Sequence, residues 1–249
     1  MEGASPSAAE RAAGIPFMPS SISVKSAVCL QDVRFSYRKN RPVLDIPTLT
    51  IGQGESVFVY GPSGSGKTTL LGLLAGILRA DSGSIQALGH DLSRMSSSQR
   101  DHFRGSHIGY IFQMFNLIPY LTVEENIGLP CRLDSARRQR LGGTPLHQAV
   151  IQVAGRLGIE SLLKENVVNL SVGQQQRVAA ARSLIGTPWL VIADEPTSAL
   201  DSDHRERFVE LLFENCRTAG STLIFVSHDR SLMHLFTRSV SLPELNRVH

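Results

Sequence analysis

A short buried strand that runs directly into a glycine-rich loop constrains this chain more than any other part of its sequence. Residues 56–60, Ser-Val-Phe-Val-Tyr, have the β-branched and aromatic side chains typical of a strand. The pattern from Thr69 to Ala75 is helical, and glycines stand at positions 61, 64 and 66 between the two. The order of strand, loop and helix predicts an α/β fold with this strand inside a mainly parallel sheet.

The loop has the spacing of a phosphate-binding motif. Gly61-Pro-Ser-Gly-Ser-Gly-Lys67-Thr68 fits the pattern Gly-x-x-x-x-Gly-Lys-Ser/Thr. Glycines let backbone N–H groups converge on phosphates, Lys67 is predicted to reach the β- and γ-phosphates, and the Thr68 hydroxyl to ligate Mg²⁺. An ordinary glycine turn is the alternative, which the flanking strand and helix disfavour. The predicted nucleotide-binding residues of this segment are Gly61, Pro62, Ser63, Gly64, Ser65, Gly66, Lys67, Thr68 and Thr69.

Two acidic residues follow a second apolar strand pattern. Leu190–Ala193 precedes Asp194 and Glu195, and residues 222–226 form another continuous apolar run. An acidic pair after a strand is by itself more often a solvated strand end, but a Mg²⁺-nucleotide site needs a carboxylate on a strand beside the phosphate loop. We therefore predict that Asp194 holds the metal and that Glu195 is the general base of hydrolysis.

A polar segment lies just ahead of the acidic strand. Residues 170–184 read Leu-Ser-Val-Gly-Gln-Gln-Gln-Arg-Val-Ala-Ala-Ala-Arg-Ser-Leu. Ser171 and Gly173 are predicted to open a helix, and the free N–H groups at a helix N-terminus can receive an anion.

The order of these motifs resembles that of the ATP-binding subunits of ABC transporters, over about residues 28–228. The order is the phosphate loop, Gln113, the segment from Ser171, Asp194-Glu195, Ser198-Ala-Leu-Asp201 and His228. The resemblance implies a P-loop ATPase (RecA-like) core with an antiparallel β subdomain and an inserted helical subdomain. It also implies a dimer, with a second copy or a paralogous ATPase, in which two chains sandwich two ATP molecules.

The resemblance also implies roles for individual residues at the nucleotide. Ser171, Gly173 and Gln174 contact the γ-phosphate held by the other subunit, and Val172 stands where the family pattern has a second glycine. Tyr37 stacks on adenine, although an aromatic residue there could equally belong to the core.

Three further residues have implied roles in hydrolysis. Gln113 contacts the metal or the lytic water and senses the membrane partner. His228 hydrogen-bonds the γ-phosphate, and Asp201 links the two sites across the dimer. The implied cofactors are ATP and Mg²⁺.

A narrower resemblance lies in residues 108–126. This segment is similar to the lipoprotein-release and macrolide-export group of ABC ATPases, the LolD and MacB type. The group implies a separate membrane permease and ATP-driven work on a substrate outside the inner membrane. The sequence after His228 is short, which agrees with that group because it lacks a C-terminal regulatory domain. The cargo is specified by the partner and not by this chain.

The remaining sequence indicates how the chain is organised. Residues 1–26 are rich in Ala, Ser and Pro and predict a flexible leader, with one nucleotide-binding domain over 27–249. Strand signals fade from roughly 114 to 170, which indicates the helical subdomain. Within it, Thr144 and Pro145 predict a helix start, with Thr144 as the N-cap and Pro145 as the first helical residue.

Composition excludes several classes of protein. The chain has 249 residues and a net charge of +3, too slight an excess of positive charge to indicate nucleic-acid binding. No apolar run resembles a signal peptide or a membrane span, so we predict a cytoplasmic protein attached to the inner membrane through the permease. Three cysteines far apart, Cys29, Cys131 and Cys216, predict plain buried thiols, and no structural metal is expected beyond Mg²⁺.

Two further groups of residues leave alternatives open. The apolar residues after Gln113 either line a groove for a permease helix or pack in the core; they are Phe115, Leu117, Ile118 and Tyr120. The basic cluster Arg132, Arg137, Arg138 and Arg140 is predicted to be a solvated face, with contact to anionic lipid or a partner as the alternative.

Two other functions remain as hypotheses. One is a soluble ATPase acting on nucleic acid or ribosomes, which the single set of motifs and the lack of heptads disfavour. The other is a signalling ATPase that controls a cell-wall enzyme through the membrane, whose sequence would look almost the same.

Overall fold

The computed structural model describes residues 26–39, 41–198 and 202–248. The strands in these ranges are β1 (Ser26–Arg38), β2 (Arg41–Gly52), β3 (Ser56–Tyr60), β4 (Ser82–Ala87), β5 (His90–Asp91), β6 (Ile108–Ile111), β7 (Leu190–Asp194), β8 (Thr222–Ser227) and β9 (Arg238–Ser241). The α-helices are α1 (Lys67–Leu74), α2 (Ser97–His107), α3 (Val123–Leu133), α4 (Ser135–Gln139), α5 (Leu146–Arg156), α6 (Val172–Leu184), α7 (Ser202–Ala219) and α8 (Leu242–Leu245).

A five-stranded parallel sheet carries the motifs predicted from the sequence. Its strand order is β6-β7-β8-β3-β9, and every neighbouring pair is parallel. The predicted strands at 56–60, 190–193 and 222–226 are therefore confirmed as β3, β7 and β8, in the interior of the sheet. Because parallel strands end at the same edge, the residues that follow β3, β7 and β8 lie side by side.

A second, antiparallel sheet confirms the predicted β subdomain. Its order is β2-β1-β4-β5, and the long β1–β2 pair runs from Ser26 opposite Gly52 to Arg38 opposite Arg41. Pairs such as Leu30–Leu49 and Val33–Ile46 place apolar residues against each other on the buried face. The inward face packs with α1 and the parallel sheet in one hydrophobic cluster.

The two faces of the parallel sheet belong to different hydrophobic clusters. Phe58 and Phe225 pack with the helices α3, α5, α6 and α7. Val59, Ile192 and Val226 pack on the opposite side with α1 and the antiparallel sheet. Successive side chains of a strand point to opposite faces, so a strand covered on both sides must be apolar throughout. This explains the continuous apolar runs in the sequence.

The chain between β6 and β7 is helical, as expected for the inserted segment. Helices α3 and α5 lie within the proposed helical subdomain at 114–170, and α6 packs against both through the same hydrophobic cluster. The prediction for the start of α5 was wrong by one residue. Pro145 is the N-cap and Leu146 the first helical residue, so Thr144 does not cap the helix.

Two details at the beginning of the described chain also differ from expectation. Ser26 already belongs to β1 and pairs with Gly52, whereas the predicted leader includes it. Residues 1–25 lie outside the described ranges. Cys131 and Cys216 are buried, as predicted, but Cys29 is only half-buried. Its Sγ receives a weak hydrogen bond from the Thr50 hydroxyl.

Within the described ranges, no helix combines the length and the apolar character needed to cross a membrane.

The prediction of a solvated basic face was wrong for Arg137. This side chain is 2% exposed and donates hydrogen bonds to the backbone carbonyls of Ile108, Ser183 and Ile185. Burial lowers the pKa of its guanidinium to about 10. Arg140 is half-buried and bonds the carbonyls of Ser106 and Gly186, whereas Arg132 and Arg138 are exposed.

We expect Arg137→Met to destabilise the protein by about 3 kcal/mol, because three buried carbonyl groups lose their donor. For a chain of this size, the melting temperature should fall by roughly 6–12 °C in thermal unfolding. Arg138→Met, which changes the neighbouring exposed arginine, is the control and should leave the melting temperature nearly unchanged. Equal melting temperatures for the two variants would contradict a stabilising role of the buried guanidinium.

The apolar residues after Gln113 divide between the two alternatives. Phe115 is 8% exposed and belongs to the core with Val123 and Ile127, and Leu117 packs against the same cluster. Tyr120 is 79% exposed. Core packing is therefore right for Phe115 and Leu117, because both side chains pack with the cluster that includes residues of α3, and Tyr120 remains on the surface.

Candidate functional site

An open pocket of about 620 Å³ lies at the carboxyl edge of the parallel sheet. Its walls are Tyr37, Val43, Ser63, Gly64, Gly66, Lys67, Thr68, Thr69, Gln113, Glu195 and His228. The residues come from the loop after β3, the ends of β6, β7 and β8, and the antiparallel sheet. The fold thus brings together residues that are 191 positions apart in the sequence, since Tyr37 and His228 line the same pocket.

The phosphate loop needs its glycines for two different reasons. Gly64 and Gly66 have φ values of 80° and 95°, in the left-handed region that favours glycine. At Gly66, a Cβ atom would also lie 2.8 Å from Leu44 Cδ2, so the loop packs directly on β2. Gly61 is similarly crowded, because a Cβ atom there would lie 2.7 Å from Ser65 Oγ.

Lys67 begins α1 and extends back beneath the loop. Its Nζ donates hydrogen bonds to the carbonyls of Gly61 at 2.9 Å and Pro62 at 3.0 Å. The same nitrogen lies 3.8 Å from Glu195 Oε1. Lys67 is 8% exposed, so its positive charge is concentrated at the floor of the pocket, next to the loop.

Asp194 lies at the end of β7, beneath the phosphate loop. It is 6% exposed, and its carboxylate is hydrogen-bonded with the hydroxyls of Thr68 and Tyr110. Burial raises the pKa of the Asp194 carboxyl above its usual value, and the charge of Glu195 raises it further, while the Thr68 hydrogen bond and Lys67 oppose this shift. One oxygen, Oδ1, is buried without a hydrogen-bond partner among the described residues. A buried polar atom of this kind is unusual and marks a position suited to a ligand.

Glu195 adopts a backbone conformation that non-glycine residues rarely take. Its φ is 48°, and its backbone N–H donates to the carbonyl of Val226 on the neighbouring strand at 2.9 Å. The side chain is 9% exposed, and Oε2 lies 2.7 Å from His228 Nδ1 and 3.3 Å from the His228 backbone nitrogen. This left-handed turn directs the carboxylate into the pocket, where Lys67 and His228 hold its two oxygens from opposite sides.

Tyr37 lies at the rim of the pocket. Its ring is 62% exposed, packs edge-to-face on Phe35 with centroids 4.9 Å apart, and its hydroxyl lies 3.3 Å from Thr69 Oγ1. An exposed, fixed aromatic face beside a phosphate loop can stack on a planar base. The alternative of a core residue is wrong, because the ring is mostly exposed.

The segment from Ser171 lies apart from the pocket walls. Ser171 is the N-cap of α6: its Oγ accepts from the Gln174 backbone N–H at 3.4 Å, and Gln174 Oε1 accepts from the Ser171 N–H at 2.9 Å. The predicted helix start is therefore confirmed. Ser171 is exposed, Gly173 and Gln174 are partly exposed, and none of the three lines the pocket. Asp201 lies outside the described residues.

Three residues that sequence reasoning missed take part in the site. Tyr110, in β6, hydrogen-bonds Asp194, and burial together with that carboxylate raises the pKa of its phenol. Val43 lines the pocket, and Ser227 lies 3.5 Å from Glu195 Oε2. Tyr110 lies within residues 108–126, the segment that carries the narrower family resemblance in the sequence. Only the pairing of β6 with β7, however, brings this side chain to Asp194.

A pocket with this loop, these carboxylates and this sheet topology defines a P-loop nucleotide hydrolase. Comparison with known proteins narrows the class. The ABC transporter family matches residues 44–198. An uncharacterized ABC transporter ATP-binding protein of Mycobacterium tuberculosis is 38% identical over 88% of this chain and 90% of its own. The lipoprotein-releasing system ATP-binding protein LolD of Bacteroides fragilis is 35% identical over 80% and 89% of the two chains.

Solved structures agree with these relatives. The dimeric ATP-binding cassette MJ0796, in a post-hydrolysis state bound to ADP and Pi, has a TM-score of 0.77 and 32% identity, covering 86% of this chain and 93% of its own. This chain therefore belongs to the ABC transporter family, as an ATP-binding subunit that hydrolyses ATP. The resemblance seen in the sequence is confirmed.

Proposed function

We propose that this protein works as a dimer that sandwiches ATP and drives a separate membrane permease. The observation that carries the proposal is the separation of Ser171 from the pocket. The phosphate loop, Glu195 and His228 face one open pocket, whereas Ser171, at the exposed N-terminus of α6, is not among the residues that line it. A second chain can place its own Ser171 against the open side, as the dimeric state of the related cassette MJ0796 supports.

Within one pocket, different residues contact different parts of the nucleotide. Tyr37 stacks on the adenine ring at the rim, and the loop residues from Gly61 to Thr69 direct N–H groups at the phosphates. Lys67 neutralises the β- and γ-phosphates from the floor of the pocket. From the partner chain, Ser171, Gly173 and Gln174 contact the γ-phosphate, and Asp201 links the two sites.

The acidic side of the pocket fits Mg²⁺. Asp194 offers a buried, unpartnered Oδ1 next to the Thr68 hydroxyl, and oxygen ligands of this kind suit that ion. We infer that Thr68, Gln113 and Asp194 hold the ion, with Asp194 acting through water. When bound, Mg²⁺ supplies positive charge that stabilises the phosphates during transfer.

Glu195 is the proposed general base. It accepts a proton from water as the water oxygen bonds to the γ-phosphorus, and the bond to the β–γ bridging oxygen breaks to leave ADP. The contact between His228 Nδ1 and Glu195 Oε2 orients both side chains and leaves Nε2 on the other side of the ring for the γ-phosphate. Gln113 positions the water and reports on the membrane partner.

The permease is proposed as the partner because the relatives are transporter subunits, among them LolD of a lipoprotein-releasing system. We propose the lipoprotein-release or macrolide-export type, with the protein on the cytoplasmic side of the inner membrane. Met114 and Tyr120, about 80% exposed beside Gln113, offer apolar area for that partner.

Mixing two inactive variants tests the shared site. Ser171→Arg blocks the N-terminus of α6 but leaves the phosphate loop intact. Lys67→Ala disables the phosphate loop but leaves Ser171 intact. In a mixed dimer, one site joins the intact loop of the first chain to the intact Ser171 of the second. Random pairing should therefore restore about a quarter of wild-type ATP turnover. If Ser171 acts on its own chain's nucleotide, no activity returns.

Purification from the native membrane tests the partner. The Glu195→Gln variant with ATP should retain a permease in stoichiometric amount, and a four-helix membrane protein with a large periplasmic domain identifies the lipoprotein-release or macrolide-export type. The Lys67→Ala variant under the same conditions is the control for ATP-dependent capture. Recovery of ribosomes or DNA without a membrane protein would instead support the soluble ATPase hypothesis.

Asp194→Asn is expected to raise the stability of the nucleotide-free protein and to lower its ATP turnover. Since the pKa of Asp194 is raised, the folded protein disfavours the ionised form, and removing the charge should stabilise the nucleotide-free protein at pH 7. We expect a melting temperature higher by about 2 °C and a loss of Mg²⁺-dependent ATP turnover of at least about 100-fold. The stability difference should shrink as the pH falls through the raised pKa of the folded state and should vanish below the usual value of 3.8, where the acid is protonated in both states. A lower melting temperature at pH 7 would contradict this account.

A further inference from the structure

The backbone that follows Gln113 has an unusual conformation. Phe115 and Asn116 have φ values of 60° and 48°, so two successive residues other than glycine are in the left-handed region. Such a conformation persists only where its surroundings hold it. The Phe115 ring is buried in the core, which fixes the side chain but not the carbonyl groups of the turn.

Arg182 of α6 holds those carbonyl groups. One terminal nitrogen donates to the Phe115 carbonyl at 2.5 Å and the other to the Asn116 carbonyl at 2.6 Å. The planar guanidinium matches two neighbouring acceptors, which a lysine cannot do with one nitrogen in the same geometry. Among the described residues, no carboxylate forms an ion pair with Arg182. Its guanidinium charge is instead hydrogen-bonded to these two carbonyl groups.

The far end of the same segment has its own anchor. Asn126, fully buried in α3, accepts from the Ile118 N–H at 2.8 Å and donates to the carbonyls of Ile118, Leu121 and Thr122. That anchor holds the segment to its own following helix. Arg182 instead joins the segment to α6, the helix that begins with Ser171.

We propose that Arg182 is a positioning residue that connects Gln113 in the pocket to the helix that carries Ser171. Arg182 follows Ser171 by about three turns on one rigid helix, roughly 16 Å. A displacement of that helix when its N-terminus meets a nucleotide therefore moves the carbonyls just after Gln113. The inference rests on the proposed role of Gln113 in hydrolysis.

A double-mutant cycle on the full-length chain tests this connection. Arg182→Met removes both donors, Gln113→Ala removes the residue that Arg182 is proposed to position, and the double variant combines them. Arg182→Lys keeps the charge without the two-pronged contact. The matched control is Arg177→Lys, on the same helix, because Arg177 bonds the Leu157 carbonyl far from Gln113. Each protein is measured for kcat and KM of ATP turnover, affinity for a fluorescent ATP analogue, and melting temperature.

We expect Arg182→Met to lower kcat about 10-fold and to change KM less than about 2-fold, because a misplaced group affects the chemical step more than binding. Arg182→Lys should lie between Arg182→Met and the wild type, and it keeps the test available if Arg182→Met folds poorly. When Gln113→Ala is already present, adding Arg182→Met should lower kcat by less than a further factor of about 2, since the side chain that Arg182 positions is already absent.

Three results would overturn the inference. In one, the effects of Gln113→Ala and Arg182→Met on kcat multiply. In another, Arg182→Lys matches Arg177→Lys in kcat while Gln113→Ala lowers it, so the proposed role of Gln113 stands and the connection through Arg182 fails. In the third, Gln113→Ala itself keeps the wild-type kcat, and the failure then lies in the proposed role of Gln113.

Discussion

Glu195→Gln is expected to lower kcat for ATP hydrolysis by about 100- to 1,000-fold, while ATP still binds with nearly wild-type affinity. The amide has almost the shape of the carboxylate and can still accept a hydrogen bond from His228, which lies 2.7 Å from Oε2. It cannot accept the proton that water loses. The expected result is therefore a chain that binds ATP, closes into a dimer and remains closed.

The measurements for this variant are single-turnover hydrolysis, nucleotide affinity and size-exclusion chromatography with ATP. Glu165→Gln, at an exposed position away from the pocket, is the matched control and should behave as wild type. If Glu195→Gln hydrolyses ATP at the wild-type rate, the general base is another group. The side chain that already contacts Glu195, His228, would then be the next candidate.

Lys67→Ala is expected to weaken ATP binding by about 10- to 100-fold, the range for losing a hydrogen-bonded charge. The structure places this ammonium on the floor of the pocket, bonded to the Gly61 and Pro62 carbonyls and 3.8 Å from Glu195. Its removal deprives the phosphates of a fixed positive charge. It also leaves the Glu195 carboxylate without a cation on one side, which adds repulsion to the anionic nucleotide.

Titration with a fluorescent ATP analogue measures this effect. The matched control is Lys164→Ala, which removes an exposed lysine and keeps the net charge equal to that of Lys67→Ala. Adenosine, which has no phosphates, should bind both variants alike, because Tyr37 and the pocket rim are unchanged. Equal ATP affinity for the two variants would contradict the phosphate-loop assignment.

The pair of predictions separates binding from chemistry. At the same ATP concentration, Lys67→Ala should form much less of the ATP-dependent dimer, since it binds nucleotide about 10- to 100-fold more weakly, whereas Glu195→Gln should accumulate that dimer. If Lys67→Ala accumulated the ATP-dependent dimer and Glu195→Gln did not, these separate roles in binding and hydrolysis would be wrong. The contact between Lys67 and Glu195 would then be what controls dimer formation.

Much of the site could be predicted because its residues stand at the ends of strongly patterned elements. β3, β7 and β8 are apolar along their whole length, and parallel strands end at one edge. Lys67, Glu195 and His228 each follow one of these strands closely, so their convergence on one pocket follows from topology alone. Ser171 could be assigned to a helix start because its capping pattern is local.

Other features could not be predicted because they depend on contacts between distant segments. Arg137 stands in a run of basic residues that resembles a solvated face, yet the ends of β6 and α6 cover it. Tyr110 reaches Asp194 only through the pairing of β6 with β7. The left-handed turn at Phe115 has no glycine to mark it, and its partner Arg182 is 67 residues away from Phe115.

The sequence by itself determined the chemistry: a phosphate loop, a carboxylate pair and a histidine, each attached to a recognisable strand, because these signals depend on residues close together in the chain. The tertiary structure decided which charges are buried, which way Glu195 points, and that Ser171 lies apart from the walls of the pocket formed by its own chain. Those properties depend on how helices and sheets pack, and packing joins residues whose separation in the sequence carries no local pattern.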